Sequence, residues 1–502
     1  MLAANNDTDA YLRHAGVMAL VGIGDVAGLK ELAVHESAAV RMAVLLAMRQ
    51  LERPEIAGFL EDVDHRLVVE AARAINDAPI NAAMIKLAEF LDRVPAVPEA
   101  LHDLLHLRAI NANFRRGDAA AARRLVRFAA AGEVKQLLRA EALFALGTWG
   151  APHTRDRIMG VYRPLGWRNE RIAANELASA VEGIMTAAPD RVQIAAIDAA
   201  VRLKLDSVQP TLFFLSRSAD VAGGVRAAAL QGLADFNSMR LNEAIEFALA
   251  QSDPDLRETA IGLVGHLSGH EALRHLETAL NDGSTRERQA AFRALGKLPG
   301  GGADRTLLRW MNRLVAGEVP PGLHLDLLEA AEARENSDVK LLVAAQAEKQ
   351  GDDELAAWQV ALRGGDAVRG EDIFRNRRDV QCSRCHKLAG SGGEAGPDLT
   401  GIGARQSREY LLESIVAPSA KIAEGFDNVQ VTVKGDVSFA GIVRRETDTE
   451  LVLVSNEDGE VVIRKADIVT RRKGLSGMPA GLHLMLGRRD VRDVVEFLAA
   501  QR

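Results

Sequence analysis

The chain holds two cysteines in 502 residues, and they stand two residues apart: Cys382 and Cys385 in "VQCSRCHKL" (380–388), with His386 directly after. Three chemistries suit such a triplet. A structural zinc site wants four Cys or His ligands, and the sequence offers no partner motif at finger spacing. A thioredoxin-type redox pair belongs at a strand-to-helix junction, whereas the local pattern here is helix then loop. Covalent attachment of a c-type haem uses this spacing. Two thiols on an incipient helical turn add to the two vinyl groups of one porphyrin, and the following histidine lies under the iron as proximal ligand.

An iron that only exchanges electrons needs a second axial ligand. Met478, in the loop "SGMP" ahead of the last amphipathic segment, is the candidate. A thioether favours ferrous iron and raises the potential relative to a second histidine. Methionine is otherwise a core filler, but Gly477 and Pro479 on either side argue against a buried helical position. His483 and Met485 compete; both fall where the next apolar segment begins, which suits core or surface roles.

Around these residues, 366–421 and 474–500 resemble a class I cytochrome c domain. Gly370 and Phe374 match the G-x-x-x-F of its N-terminal helix, and "GPDLTGIGAR" (396–405) matches its G-P-x-L-x-G loop with an arginine beyond. The resemblance implies that the loop of Pro397 holds the proximal histidine through a backbone carbonyl and that Arg405 bonds a haem propionate. It implies a C-terminal helix that crosses the N-terminal one, with Phe497 near Phe374. Leu399 and Ile402 are the apolar loop residues expected to bury the haem.

The elements that must position this site differ along the chain. Upstream, one pattern recurs: a polar residue after an apolar one, then alanines, then leucines at helical spacing. Its aligned polar positions are Arg13, Arg41, Glu70, Arg139, Gln193, Arg226, Arg257 and Arg288, spaced about 30 residues apart where the run is regular. A unit of two amphipathic helices that cannot bury its stripe alone stacks on its neighbours into a solenoid. The segments resemble HEAT-type repeats. "SDPDLR" (252–257) and "DGSTRE" (282–287) read as helix starts. The period breaks over 77–136, where "VPAVPEA" (94–100) and "NANFRRGD" (111–118) intervene, marking an irregular repeat or a junction. His102 and His106 stand i, i+4 but have no further ligand motif, so they read as ordinary helix histidines. Residues 428–470 turn to alternating Val, Ile, Thr and Phe around turn signals at Lys434, Gly435 and Asp436 and at Asp458 and Gly459. The expected fold is therefore mainly α: a HEAT-like α-solenoid over 1–363, then an all-α class I cytochrome c domain over 364–502 with a small antiparallel β insertion at 428–470.

Taken whole, the chain is similar to a family of haem-binding proteins of planctomycetes and verrucomicrobia, in which HEAT-like repeats precede a cytochrome c module with a β insertion. Larger members carry a β-propeller resembling soluble sugar dehydrogenases that use pyrroloquinoline quinone. No propeller is present here, so dehydrogenase activity does not carry over. The expectation is an electron carrier rather than an enzyme: one covalent haem c between His386 and Met478, with the solenoid as platform for a redox partner protein, either a dehydrogenase or a terminal electron acceptor. The alternatives are the haem subunit or a fragment of a larger quinone-dependent sugar or alcohol dehydrogenase, and a haem peroxidase. A peroxidase needs an open sixth position and distal acid–base groups, and no distal His/Arg pair is apparent.

Composition bounds the rest. The net charge of −7 argues against nucleic acid as partner. Residues 364–502 hold 21 basic and 21 acidic side chains, so the negative excess lies on 1–363, where it would steer a basic partner in a salt-sensitive way. No apolar run is long enough to span a bilayer. Haem c attachment implies a periplasmic or other extracytoplasmic location, yet "MLAANNDTDAYLRHAGVMAL" has no basic segment followed by an apolar one. The expectation is that the sequence is a fragment of a longer protein or begins at a misassigned start.

Overall fold

The repeat helices begin where short polar side chains accept their unpaired backbone N–H groups. Asp253 Oδ1 accepts from Leu256 N at 2.9 Å ahead of the helix Pro254–Leu263. Ser284 and Glu287 form a reciprocal capping box at the start of Thr285–Lys297. The computed structural model describes residues 1–92, 98–350, 354–377, 379–455 and 459–502. Of the sequence features above, residues 94–97 and Asp458 lie outside them.

The chain is mainly α and divides into two compact units, Met1–Leu263 and Val264–Arg502. In the first, helices pack on one another along the chain, as in Ala38–Gln50 with the 3₁₀ turn Pro54–Glu61, Gln136–Gly147 with Asp190–Arg202, and Gln209–Arg217 with Gly223–Asp235. Small residues set the closeness of these pairs. A Cβ on Gly147 would lie 3.0 Å from the Cα of Ala199 on the next first-helix, so glycine is what the crossing permits. Over 77–136 the chain still forms helices, among them Glu99–Arg116 and Ala119–Ala130. His106 is buried there with its Nδ1 2.8 Å from His102 O, an ordinary core position. The long stretch without helix lies later, at 148–170. It is pinned by Asp156, which is buried and accepts from Asn111, Arg115 and Arg163.

Four of the six aligned arginines have a shared task. Arg41 Nη1 donates to His35 O (2.7 Å) and Glu36 O, Arg139 Nε to Ala129 O (2.7 Å), Arg257 Nη1 to Leu249 O (2.6 Å) and Arg288 Nη2 to Asn281 O (2.7 Å). Each reaches back to carbonyls at or just past the end of the preceding helix, which have no intrahelical partner, and places a cation at the negative pole of that helix.

In the second unit, the helix Ala367–Asn376 crosses the helix Leu482–Ala500. Asp366 caps the former, accepting from Val368 N and Arg369 N. At the crossing a Cβ on Gly370 would fall 2.0 Å from Asp493 O, so no other residue fits. Phe374 and Phe497 meet with centroids 5.7 Å apart, in a core that also takes Leu411, Leu412, Val494 and Val495.

A five-stranded antiparallel sheet is inserted before the last helix. Its strands are β1 (Asn428–Val433), β2 (Val437–Glu446), β3 (Glu450–Ser455), β4 (Gly459–Arg464) and β5 (Ile468–Lys473), in the order β4-β3-β2-β1-β5. The first four form a meander and the fifth returns beside the first, three residues beyond the expected end at 470. Gly435 and Asp436 both have positive φ, the conformation a tight hairpin needs. One face buries Val429, Val431, Leu451, Leu453 and Ile463. Glu446 at the end of β2 is held by Arg471 (2.8 Å) and Lys465 (2.8 Å), in that order of effect, and its pKa falls from 4.5 to about 2. A depressed carboxyl contributes stability above its unfolded pKa and loses it as pH falls through the folded one. The tie of Glu446 on β2 to Arg471 on β5, across β1, is therefore expected to be at full strength above about pH 4.5 and to weaken towards pH 2. Faster amide exchange in β5 across that range checks this, and salt should diminish the effect because the pair is solvent-exposed.

Candidate functional site

Cys382 and Cys385 form the two ends of a single helical turn, Cys382–Cys385. The chain enters it through Gln381 in the left-handed region (φ 48) and closes it with His386 N donating to Cys382 O at 3.0 Å. Both thiols are free and half-buried. Burial pushes the Cys382 thiol up to about 11, so at neutral pH it is a protonated, weakly nucleophilic group, unlike a catalytic or redox cysteine.

A glycine-rich loop is laid along this turn by backbone bonds: Gly393 N to Ser383 O (3.0 Å), Gly396 N to Cys385 O (2.8 Å) and Leu399 N to Lys387 O (2.8 Å). The glycines are steric necessities. A Cβ on Gly393 would meet Arg384 O at 1.9 Å, and one on Gly396 would press on the His386 ring at 2.7 Å. The loop thereby places Pro397 O 3.0 Å from His386 Nδ1. A carbonyl can only accept, so Nδ1 carries the proton, and in the neutral imidazole Nε2 keeps its lone pair. Burial lowers the His386 pKa, opposed by the bond to Pro397, and so favours that neutral form. A backbone-oriented imidazole of this kind is how proteins present a nitrogen to a metal.

Met478 packs on the same apolar cluster as Cys382, Leu399 and Ile402. Its loop is fixed at the near end, where Ser476 N donates to Ser419 Oγ (3.1 Å) and Met478 N to Ser476 Oγ (3.1 Å). The two competing residues are engaged elsewhere. His483 is buried, with Nε2 3.0 Å from Glu354 Oε1 and its ring edge-on to Trp358 at 4.9 Å, while Met485 is exposed. Arg405 is exposed and donates to Asp398 O (3.2 Å) and Thr400 O (2.9 Å), bracing the loop from outside. Gly393 and Ser419 were not singled out from sequence, while Gly396 and Ser476 stand in the quoted "GPDLTGIGAR" and "SGMP" stretches without a role of their own. Gly393 lies three residues ahead of the G-P-x-L-x-G motif, a signal that could have found it; Ser419 carries none. Among the described residues no group of three or more His, Cys, Asp or Glu side chains converges to hold a metal ion.

The turn, its loop and the crossed helices form a small α-helical module that follows the helical repeats in the chain. Comparison with family models agrees: residues 367–437 match cytochrome c and residues 214–296 match HEAT repeats. The chain thus carries HEAT repeats followed by a cytochrome c domain, the arrangement of a haem-binding electron-transfer protein with a protein-interaction region. No curated protein matches the sequence. No helix among the described residues is long and apolar enough to cross a membrane.

Proposed function

We propose that the protein is an extracytoplasmic electron carrier holding one haem c, tethered through Cys382 and Cys385 and ligated by His386 and Met478, with its repeats docking a redox partner protein. The observation that carries this reading is the hydrogen bond from His386 Nδ1 to Pro397 O beside two free thiols on one turn. The residues present fit the group: two free thiols on one helical turn, an imidazole with Nε2 available, and a thioether packed on the same apolar cluster.

When bound, the haem supplies a one-electron ferric/ferrous couple. The chain's own contribution is placement and environment. Pro397 fixes the tautomer and plane of His386 and makes Nε2 more basic. Met478 brings a soft ligand that favours the reduced state. Leu399 and Ile402 exclude water, which raises the cost of the extra positive charge in the oxidised state. Arg405 lies on the same loop and would reach a propionate by releasing one of its loop carbonyls. If His386 and Met478 both held the iron, they would leave it no position for a substrate, which favours electron transfer over peroxidase chemistry.

The test is expression in a host with a cytochrome c maturation system. The purified protein is expected to show a c-type absorption spectrum, with one haem per chain by pyridine haemochromogen assay. Absence of covalent haem from a soluble, folded product sinks the reading.

A further inference from the structure

Arg377 ties the segment that carries Met478 to the segment that carries the cysteines. It stands at the end of the helix Ala367–Asn376, five residues before Cys382. Its Nε and Nη2 donate to the Asp379 carboxylate at 3.0 and 3.1 Å, on the approach to the cysteine turn. Its Nη1 donates to the Asp490 carboxylate, and Nη2 also to Met485 O at 3.0 Å. Asp490 and Met485 lie on either side of Gly487, where the helix Leu482–Ala500 is interrupted (φ 77, ψ 165).

The interruption explains why an arginine is needed. At Gly487 the backbone leaves helical geometry, so carbonyls just before it lose their regular partners. Arg377 supplies one of them with a donor and binds the first turn of the continuing helix through Asp490. The short helical piece 482–486 is then fixed relative to the cysteine turn. Between it and Met478 stand Pro479, Ala480 and Gly481, the last in the left-handed region (φ 81). A proline fixes φ, so this link is short and passes on the position of its anchor. A planar guanidinium spreads five donors over three nitrogens and here serves both Asp379 oxygens, Asp490 and Met485 O together; a lysine has three donors on a single nitrogen and no fork.

We infer that Arg377 is the positioning residue of the methionine side of the site: it holds the Met478 segment against the Cys382–His386 segment and so keeps the second axial position closed. This rests on Met478 being an axial ligand.

The test uses full-length holo-protein and imidazole as probe of the sixth position. Native ferric protein is expected to show the thioether-to-iron charge-transfer band and to bind imidazole weakly. Arg377→Gln is expected to weaken the band and to bind imidazole at least about tenfold more tightly, a change of about 1.4 kcal/mol. Arg377→Lys should recover little, and Asp490→Asn, which leaves the Asp379 side intact, should give an intermediate shift. Arg408→Gln, which breaks a two-point pair with Glu496 on the same helix, controls for general destabilisation and should leave imidazole affinity at the native value. Native affinity and a full band in Arg377→Gln overturn the inference while leaving Met478 ligation intact. A native protein without the band overturns Met478 ligation and this inference with it. Should Arg377→Gln not accumulate, Asp490→Asn decides alone: unchanged affinity overturns the inference.

Discussion

A chain with serine at both 382 and 385 is expected to lose all covalently bound haem. Denatured and separated by size, the parent should carry haem peroxidase stain at its own mass, and the double variant none. The argument is chemical. A thioether forms only from a thiol, and the chain offers two, both free and on one turn. The single variants are expected to retain haem through one bond, with the reduced absorption band moved to longer wavelength because one vinyl stays conjugated. The polypeptide itself should survive the change. The turn is held by backbone bonds such as His386 N to Cys382 O, and the loop along it by three more. Loss of stain with unchanged helical circular dichroism is the expected pair of results; stain retained by the double variant would show that the attachment chemistry is misassigned.

The largest change in stability is expected from Asp326→Ala. Asp326 lies on the helix His324–Glu332 of the last repeats and its side chain is fully buried. Arg492 of the helix Leu482–Ala500, also buried, donates to it at 2.6 Å, and Arg293 does so at 3.2 Å. Arg489 approaches to 3.7 Å and pairs with Glu329. Around the same helix, Gln289 Nε2 bridges Gly322 O and Gly364 O at 2.8 Å each, and Asp493, its pKa raised by burial, accepts from Asp366 N. Removing one member of a buried pair strands the other without water, at a cost of about 3–5 kcal/mol. Asp326→Ala strands Arg492, so a loss in that range is expected in urea unfolding followed by haem absorbance. Replacing the pair together, Asp326→Leu with Arg492→Met, should restore most of the loss, because two apolar groups need no solvation. A loss of under about 1 kcal/mol for Asp326→Ala, the range of exposed pairs, would mean that water reaches the cluster.

What could be read from sequence was local. The triplet at 382–386, the Pro397 loop and the Met478 loop each stand out within ten residues, because a tight turn and the loop laid along it dictate residue type at fixed spacing. The capping residues Asp253 and Ser284 were legible for the same reason. The repeat arginines were legible as a register but not as a task, since the carbonyls they serve are supplied by the chain's geometry and not by a residue type. Contacts that couple distant segments left no trace: Asp326 and Arg492 are 166 residues apart, Arg377 and Asp490 113 apart. The interruption at Gly487 falls directly ahead of "RRDVRDVVEFLAA" (488–500), the stretch that reads as the C-terminal helix, and the short helical piece before it was not legible. The irregular segment 148–170 was likewise missed, because its anchor Asp156 gathers partners from Asn111 and Arg115 in a different helix pair.

The arginines that reach back give the repeat array a direction. Arg257 belongs to the helix Pro254–Leu263 but serves the end of Leu241–Leu249, and Arg139 belongs to Gln136–Gly147 but serves Ala119–Ala130. Damage at one such residue is therefore felt upstream of where it occurs. In a stack where each unit leans on its neighbours, this makes the array behave like overlapping roof tiles: lifting one exposes the edge of the tile before it, and the weather enters on the N-terminal side of the break.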